Sequence, residues 1–276
     1  MLSQGARPVG YDDRGAGTPV VLLHPFPFSR GLWTGLAEVL AARHRVVTVD
    51  ARGFGESPLL PGARPSVADS ADDLATLLDT LKIDRAALVG LSLGGYTALA
   101  FATRHRARLA ALVLADTRAA ADSVEVHQAR NAALALVTAG RTEAYLAASL
   151  PRLLSPSAPP ALVAHLRARA ETRAPNLSAG IEALRDRPDR TGELAAIACP
   201  TLVICGALDQ ITPAAEMRAM AEAIPGAVFT EIPAAGHLCH LEAPGAFERV
   251  LSPFLSDLSD LSDSADLAAA APGGPR

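Results

Sequence analysis

A hydroxyl, an imidazole and a carboxylate that together could attack a carbonyl stand far apart in this chain. Ser92 lies in Gly90-Leu91-Ser92-Leu93-Gly94, with Gly95 following, directly after the apolar run Ala87-Leu88-Val89. The run predicts a strand buried on both faces, and the Leu and small residues from Leu93 onward predict a helix. Ser92 then falls in a strand-to-helix turn, where flanking residues come into near contact and must lack bulky side chains. The same turn puts helix-start N–H groups beside the serine oxygen, where negative charge collects during attack. A Gly-rich turn that binds phosphate or merely packs tightly has the same five-residue pattern, so the rest of the chain must decide.

A serine hydroxyl needs a base to take its proton as it attacks. His237 follows Gly236 in a loop just past the last apolar run and is the first candidate, with His24 and His240 as competitors. His44, His105, His127 and His165 fall in expected helices or helix ends. The base in turn needs a carboxylate on its far nitrogen to fix its tautomer. Asp209 fits, in the loop after the run Pro200–Gly206; Asp116, after Leu109–Leu114, is the second choice.

The elements that must position these residues follow from the same pattern. Residues 1 to 19 predict an opening β-hairpin with turn chemistry at Asp12-Asp13-Arg14-Gly15. Val20–Leu23 and Val46–Val49 predict buried strands. The first ends at the stiff His24-Pro25-Phe26-Pro27 loop, the second at Asp50 and Arg52, a pair suited to a salt bridge that holds its loop. Ser66 can cap a helix that aligns Leu74, Leu77, Leu78 and Leu81. Val228–Ile232 is the last strand and Pro244–Leu255 the last amphipathic helix, with Met217 and Met220 as core filling before them. Alternation of strands and helices implies a mostly parallel sheet with helices on both faces, whose ligands gather at the carboxyl ends of the strands. His24, Phe26, Ser92, Asp116, Asp209 and His237 all fall at that edge.

Residues 1–117 and 197–255 carry this core pattern. Residues 118–196, helical in spacing and broken by Pro151, Pro156, Pro159, Pro160 and Pro175, are expected to form an inserted cap. Residues 256–276 are expected to be a disordered tail; Leu-Ser-Asp is written three times in succession from Leu255.

Composition narrows the function classes. Fifty per cent hydrophobic and 20% charged residues fit a globular domain, and a net charge of −4 gives no electrostatic case for nucleic acid or an anionic membrane. The three cysteines are too scattered for a disulfide framework or a zinc site, and the first residues lack the apolar core of a signal peptide, so a cytoplasmic protein with reduced thiols is expected.

The order Ser92, Asp209, His237, with the His-Pro-Phe-Pro turn, the loop Asp50-Ala51-Arg52-Gly53-Phe54-Gly55-Glu56-Ser57 and the Gly-His loop, resembles the α/β-hydrolase superfamily over nearly all of residues 18 to 255. The resemblance implies an oxyanion hole made by the N–H groups of Leu93 and Phe26. It departs at Pro25, where most members have glycine. Serine at position 92 speaks against the dehalogenases and epoxide hydrolases of this fold, which use aspartate there. The chain is most similar to small bacterial esterases and 3-oxoadipate enol-lactonases, and its His-Pro-Phe-Pro turn to cofactor-free haloperoxidases. The resemblance implies a serine esterase or lactonase that acts on a small-molecule substrate with water, with no cofactor and no metal. Perhydrolysis with peroxide and a ligand-binding protein of negligible turnover are the alternatives. The Ala, Leu and Val of the cap suggest a small apolar acyl group, while an acidic substrate would draw on Arg30, Arg118, Arg130 or Arg152.

Overall fold

Each apolar run becomes a strand, because a segment buried on both faces can satisfy its backbone only by pairing with others of its kind. In the computed structural model, which describes residues 9–269 and side chains through 258, the strands are β1 (Tyr11–Arg14), β2 (Pro19–Leu23), β3 (Arg45–Val49), β4 (Ala86–Leu91), β5 (Leu109–Ala115), β6 (Thr201–Gly206) and β7 (Val228–Ile232). They form one seven-stranded sheet in the order β1-β3-β2-β4-β5-β6-β7. Every pairing is parallel except that of β1 with β3.

The helices cover both faces. They are α1 (Thr34–Leu40), α2 (Val67–Thr80), α3 (Leu93–Arg104), α4 (Val124–Thr138), α5 (Thr142–Ser149), α6 (Pro160–Arg169), α7 (Ala174–Arg185), α8 (Ala214–Glu222), α9 (Cys239–Glu242) and α10 (Pro244–Ala269). Alternate residues of a strand point to opposite faces, so Val21 and Leu88 join the layer under α2, α3 and α8, with Leu74, Phe101 and Met217. Val20 and Val89 join the layer under α1 and α10, with Trp33, Leu40, Phe247 and Leu251. Ser66 caps α2 as its position suggests: its Oγ accepts from the Asp69 N–H at 3.2 Å, and the Asp69 carboxylate accepts from the Ser66 N–H at 2.8 Å.

Two expectations change. The opening hairpin does not form, because both edges of apolar β2 are taken by the parallel strands β3 and β4. The polar strand β1 instead closes the outer edge of β3, with Asp13 opposite Val47; residues 1–8 lie outside the described residues. The last helix does not stop at Leu255. Leu251, Leu255 and Leu258 follow one another at helical spacing against the α1 side of the sheet, and the helix continues through the Leu-Ser-Asp repeats to Ala269.

Helices α4 to α7 all lie between β5 and β6 in the chain, and prolines mark their breaks: Pro151, Pro160 and Pro175 each stand at the start of a helical turn, where a missing N–H costs nothing. Among the described residues no helix is long and apolar enough to cross a membrane.

His240 packs between Trp33, at 4.5 Å between ring centroids, and Phe247, at 6.1 Å. Neither of its ring nitrogens nor the Trp33 Nε1 has a hydrogen-bond partner among the described residues. Burial, and secondarily the charge of His237, push the His240 imidazole down to about 3. The unfolded chain binds a proton here near 6.5 while the folded chain does not, so stability must fall as pH drops below that value. Thermal unfolding at pH 7.5 and pH 5 should show a smaller acid loss in His240→Phe than in the parent, and an equal loss would contradict the assignment.

Candidate active site

The turn after β4 is crowded enough to dictate its residues. Ser92 sits at φ 52°, ψ −111°, a conformation a non-glycine residue adopts only under constraint. A Cβ on Gly90 would overlap the Gly94 carbonyl, and one on Gly94 would overlap the Leu23 carbonyl of the neighbouring strand end. One on Gly95 would stand 2.5 Å from the Thr117 hydroxyl. The serine is held from three sides: its N–H donates to the Ala115 carbonyl at 3.0 Å, and its carbonyl accepts from the Tyr96 N–H at 3.0 Å and the Thr117 hydroxyl at 2.9 Å.

Asp209 and His237 meet. The imidazole Nδ1 lies 2.8 Å from Asp209 Oδ2, and both side chains are buried. An ionised carboxylate only accepts, so Nδ1 carries the proton in this contact. The Ile211 and Thr212 amides donate to Asp209 Oδ1 at 2.7 and 3.1 Å, and the Thr212 hydroxyl donates to Oδ2. Burial opposes the charge on Asp209, but His237 and these donors outweigh it and hold the carboxyl below its ordinary range. Burial likewise opposes charge on His237, and the Asp209 carboxylate outweighs that and lifts the imidazole above its ordinary value.

The competing residues have other partners. His24 donates from Nδ1 to the Pro25 carbonyl and accepts the Ala51 N–H at Nε2, both at 3.0 Å, so it braces two loops. Asp50 and Arg52 do not pair with each other. Asp50 takes the Arg30 guanidinium and the N–H groups of Arg30 and Glu56, while Arg52 forks onto Asp73. Asp116 is fully buried near the Asp209–His237 pair. Its Oδ1 accepts the Gly206 N–H at 2.7 Å, and its Oδ2 has no partner among the described residues. Burial, then the charge of Asp209, push it up to about 7.

Ser92, His237, Phe26 and Pro27 line one cavity of about 380 Å³. Its other wall comes from the helices between β5 and β6: Val126, Ala129, Arg130 and Ala133 of α4, Tyr145 and Ser149 of α5, and Ile181 and Leu184 of α7. Of the four arginines considered above, Arg118, Arg130 and Arg152 line it and Arg30 does not. Arg118 pairs with Glu216 at 3.4 Å and Arg130 with Asp122 at 2.6 Å; Arg152 has no ion pair among the described residues. Leu93 opens α3, where N–H groups have no intrahelical partner, and among the described loops and turns neither its amide nor that of Phe26 donates a hydrogen bond.

Ligand atoms of Asp116, Cys205 and Asp209 lie within 4.8 Å of one another. A metal needs deprotonated ligands with free lone pairs. Both Asp209 oxygens are already engaged by two amides, the Thr212 hydroxyl and the His237 ring, so Asp209 is committed to these partners and not to a cation.

Sequence reasoning missed Thr212, Asp122 and Tyr96. The spacing Asp209-Gln210-Ile211-Thr212 was a signal, since an aspartate commonly accepts from amides two and three residues on. Tyr96 stands one helical turn after Ser92 and was legible in principle. Asp122, buried between Arg130 and Arg187, had no local signal.

Residues 18–244 match the family described as alpha/beta hydrolase fold. An esterase from Thermogutta terrifontis, solved with malate bound, superposes with a TM-score of 0.86 at 38% identity over 91% of this chain and 94% of that one. The enol-lactonase from Burkholderia xenovorans LB400 gives 0.82 at 30% identity over 90% and 96%. A Variovorax paradoxus protein that carries a carbamate-hydrolase name is 34% identical over 90% of this chain and 96% of its own.

The folded chain keeps the Asp116 proton up to about 7, whereas a free carboxyl releases it near 3.8, so stability drains as pH rises between these values. Asp116→Asn should therefore melt higher than the parent at pH 8, with the gain shrinking toward pH 4. A gain that does not depend on pH would refute this.

Proposed function

Because the chain belongs to the alpha/beta hydrolase family, we propose that it is a serine hydrolase that cleaves a small carboxylic ester or lactone through an acyl-enzyme on Ser92. The observation that carries this reading is the buried Asp209–His237 hydrogen bond at the rim of the cavity that Ser92 also lines. In this reading residues 118–196 act as a cap, and the apolar residues of α4 and α7 receive the acyl group.

The reaction runs in two halves. Ser92 Oγ attacks the ester carbonyl while His237 Nε2 takes its proton. Asp209 keeps Nδ1 protonated and favours the imidazolium that forms. The Leu93 and Phe26 amides receive the oxyanion; they are N–H groups already fixed in direction and without a competing partner in the described loops. Collapse expels the alcohol, which leaves with the proton from His237. A water then gives its proton to His237 as its oxygen attacks the acyl carbon; the acid departs and Ser92 regains its proton. In this mechanism every step is proton transfer or acyl transfer.

Ser92→Ala should lower turnover of p-nitrophenyl acetate by roughly a millionfold if the three side chains act as a unit. Hydrolysis at the parental rate in that variant would end the proposal. Asp209→Asn should cost about four orders of magnitude, through the wrong tautomer of His237, while Asp116→Asn keeps most of the activity. The reverse pattern would move the acid to Asp116. Since His237 works as a base only when neutral and its charged form is stabilised above the ordinary value, kcat/KM should fall as pH drops, with a midpoint above 6.5. A rate unchanged from pH 8 down to pH 5.5 would contradict the assigned base.

A further inference from the structure

Hydrogen bonds to Asp209 orient the ring of His237, but something else must fix its backbone. The loop from Pro233 to Leu238 leaves the sheet after β7, and both neighbours of His237 are tied to the stretch 153–155 that follows α5. On one side the Leu238 N–H donates to the Leu153 carbonyl at 3.1 Å. On the other a single carboxylate spans the gap. Glu242, on α9, accepts the Gly236 N–H at Oε1 at 2.7 Å and the Ser155 N–H at Oε2 at 2.9 Å. The backbones are packed there: a Cβ on Gly236 would stand 2.5 Å from the Ser155 nitrogen and 2.6 Å from the Leu154 carbonyl carbon.

Hydrogen bonds from amides to a carboxylate are stronger than neutral ones, and a carboxylate with both oxygens engaged can move only with its partners. Leu153 belongs to the wall of the cavity that His237 also lines. The seat of the imidazole and the seat of that wall are therefore one rigid unit.

We propose that Glu242 is a positioning residue, which fixes His237 by clamping the loop before it to the 153–155 stretch of the helical segment. The inference rests on His237 as the base, so Ser92→Ala is assayed alongside. A misplacement of about 1 Å costs up to about a hundredfold in rate. Glu242→Ala should accordingly lower kcat for p-nitrophenyl butyrate by between tenfold and a hundredfold, with KM changed less than about twofold. The Gly236 and Ser155 amides should exchange hydrogen faster, and Glu242→Gln, which keeps one accepting oxygen, should recover part of the kcat. Should Glu242→Ala fail to fold, the glutamine variant carries the same comparison with the parent. Parental kcat in a variant whose Gly236 amide exchanges faster overturns the clamp, as does a rise in KM with kcat intact. Activity retained in Ser92→Ala overturns the reading of the site itself, whereas an inert Ser92→Ala beside a fully active Glu242→Ala overturns the clamp alone.

Discussion

The reach of one serine hydroxyl depends on how closely three backbones approach at the end of β4. There the chain reverses from strand to helix across Ser92, and the helix start lies against the Leu23 carbonyl on one side and Thr117 on the other. Only hydrogen side chains fit at positions 90 and 94, and the serine between them takes a positive φ of 52°. Such a conformation costs on the order of 1–3 kcal/mol and persists only where surroundings over-determine it. Here they do, because the Ser92 N–H and carbonyl are bound by Ala115, Tyr96 and Thr117. The parallel sheet supplies the rest of the constraint, since β2, β4 and β5 end side by side and bring their loops to the same rim.

Behind the serine, burial and neighbouring charges set the protonation of three groups in different directions. Asp209 is surrounded by donors and stays ionised; its carboxylate favours the charged form of His237; Asp116 is fully buried beside that carboxylate and so retains a proton up to about 7. Two carboxylates on adjacent strand ends thus differ through their hydrogen bonds rather than their position along the chain. His237 contributes most to holding the Asp209 charge, and the Thr212 hydroxyl and the Ile211 amide of its own loop come after it.

Ion pairs brace the loops around this rim. Asp50 collects donors from Arg30 and Glu56, Arg52 is held by Asp73 on α2, and Asp122 lies between Arg130 and Arg187, whose guanidinium stacks over Tyr96 at 4.3 Å. A buried pair is costly to break because it leaves an unpartnered charge. Of these contacts the stacking of Arg187 over Tyr96 is the one that joins the segment between β5 and β6 to α3, and on α4 Val137 alone is buried.

The alternating pattern of apolar runs and helical spacing determined the parallel sheet, its helices and the turn at Ser92, because burial on both faces and a one-residue reversal leave local marks in residue type. Asp209 and His237 were legible for the same reason, each following a run that had to be a strand. The pairing of β1 with β3 was not, since a polar strand of four residues carries no mark of its partner and the contest for the edges of β2 is decided by the other strands. Nor was the separation of Asp50 from Arg52, or the pair of amides that Glu242 takes, 6 and 87 residues away. Hydrogen bonds across such distances exist only after packing has brought the loops together, so the sequence determined which groups could act and the tertiary structure decided which of them meet.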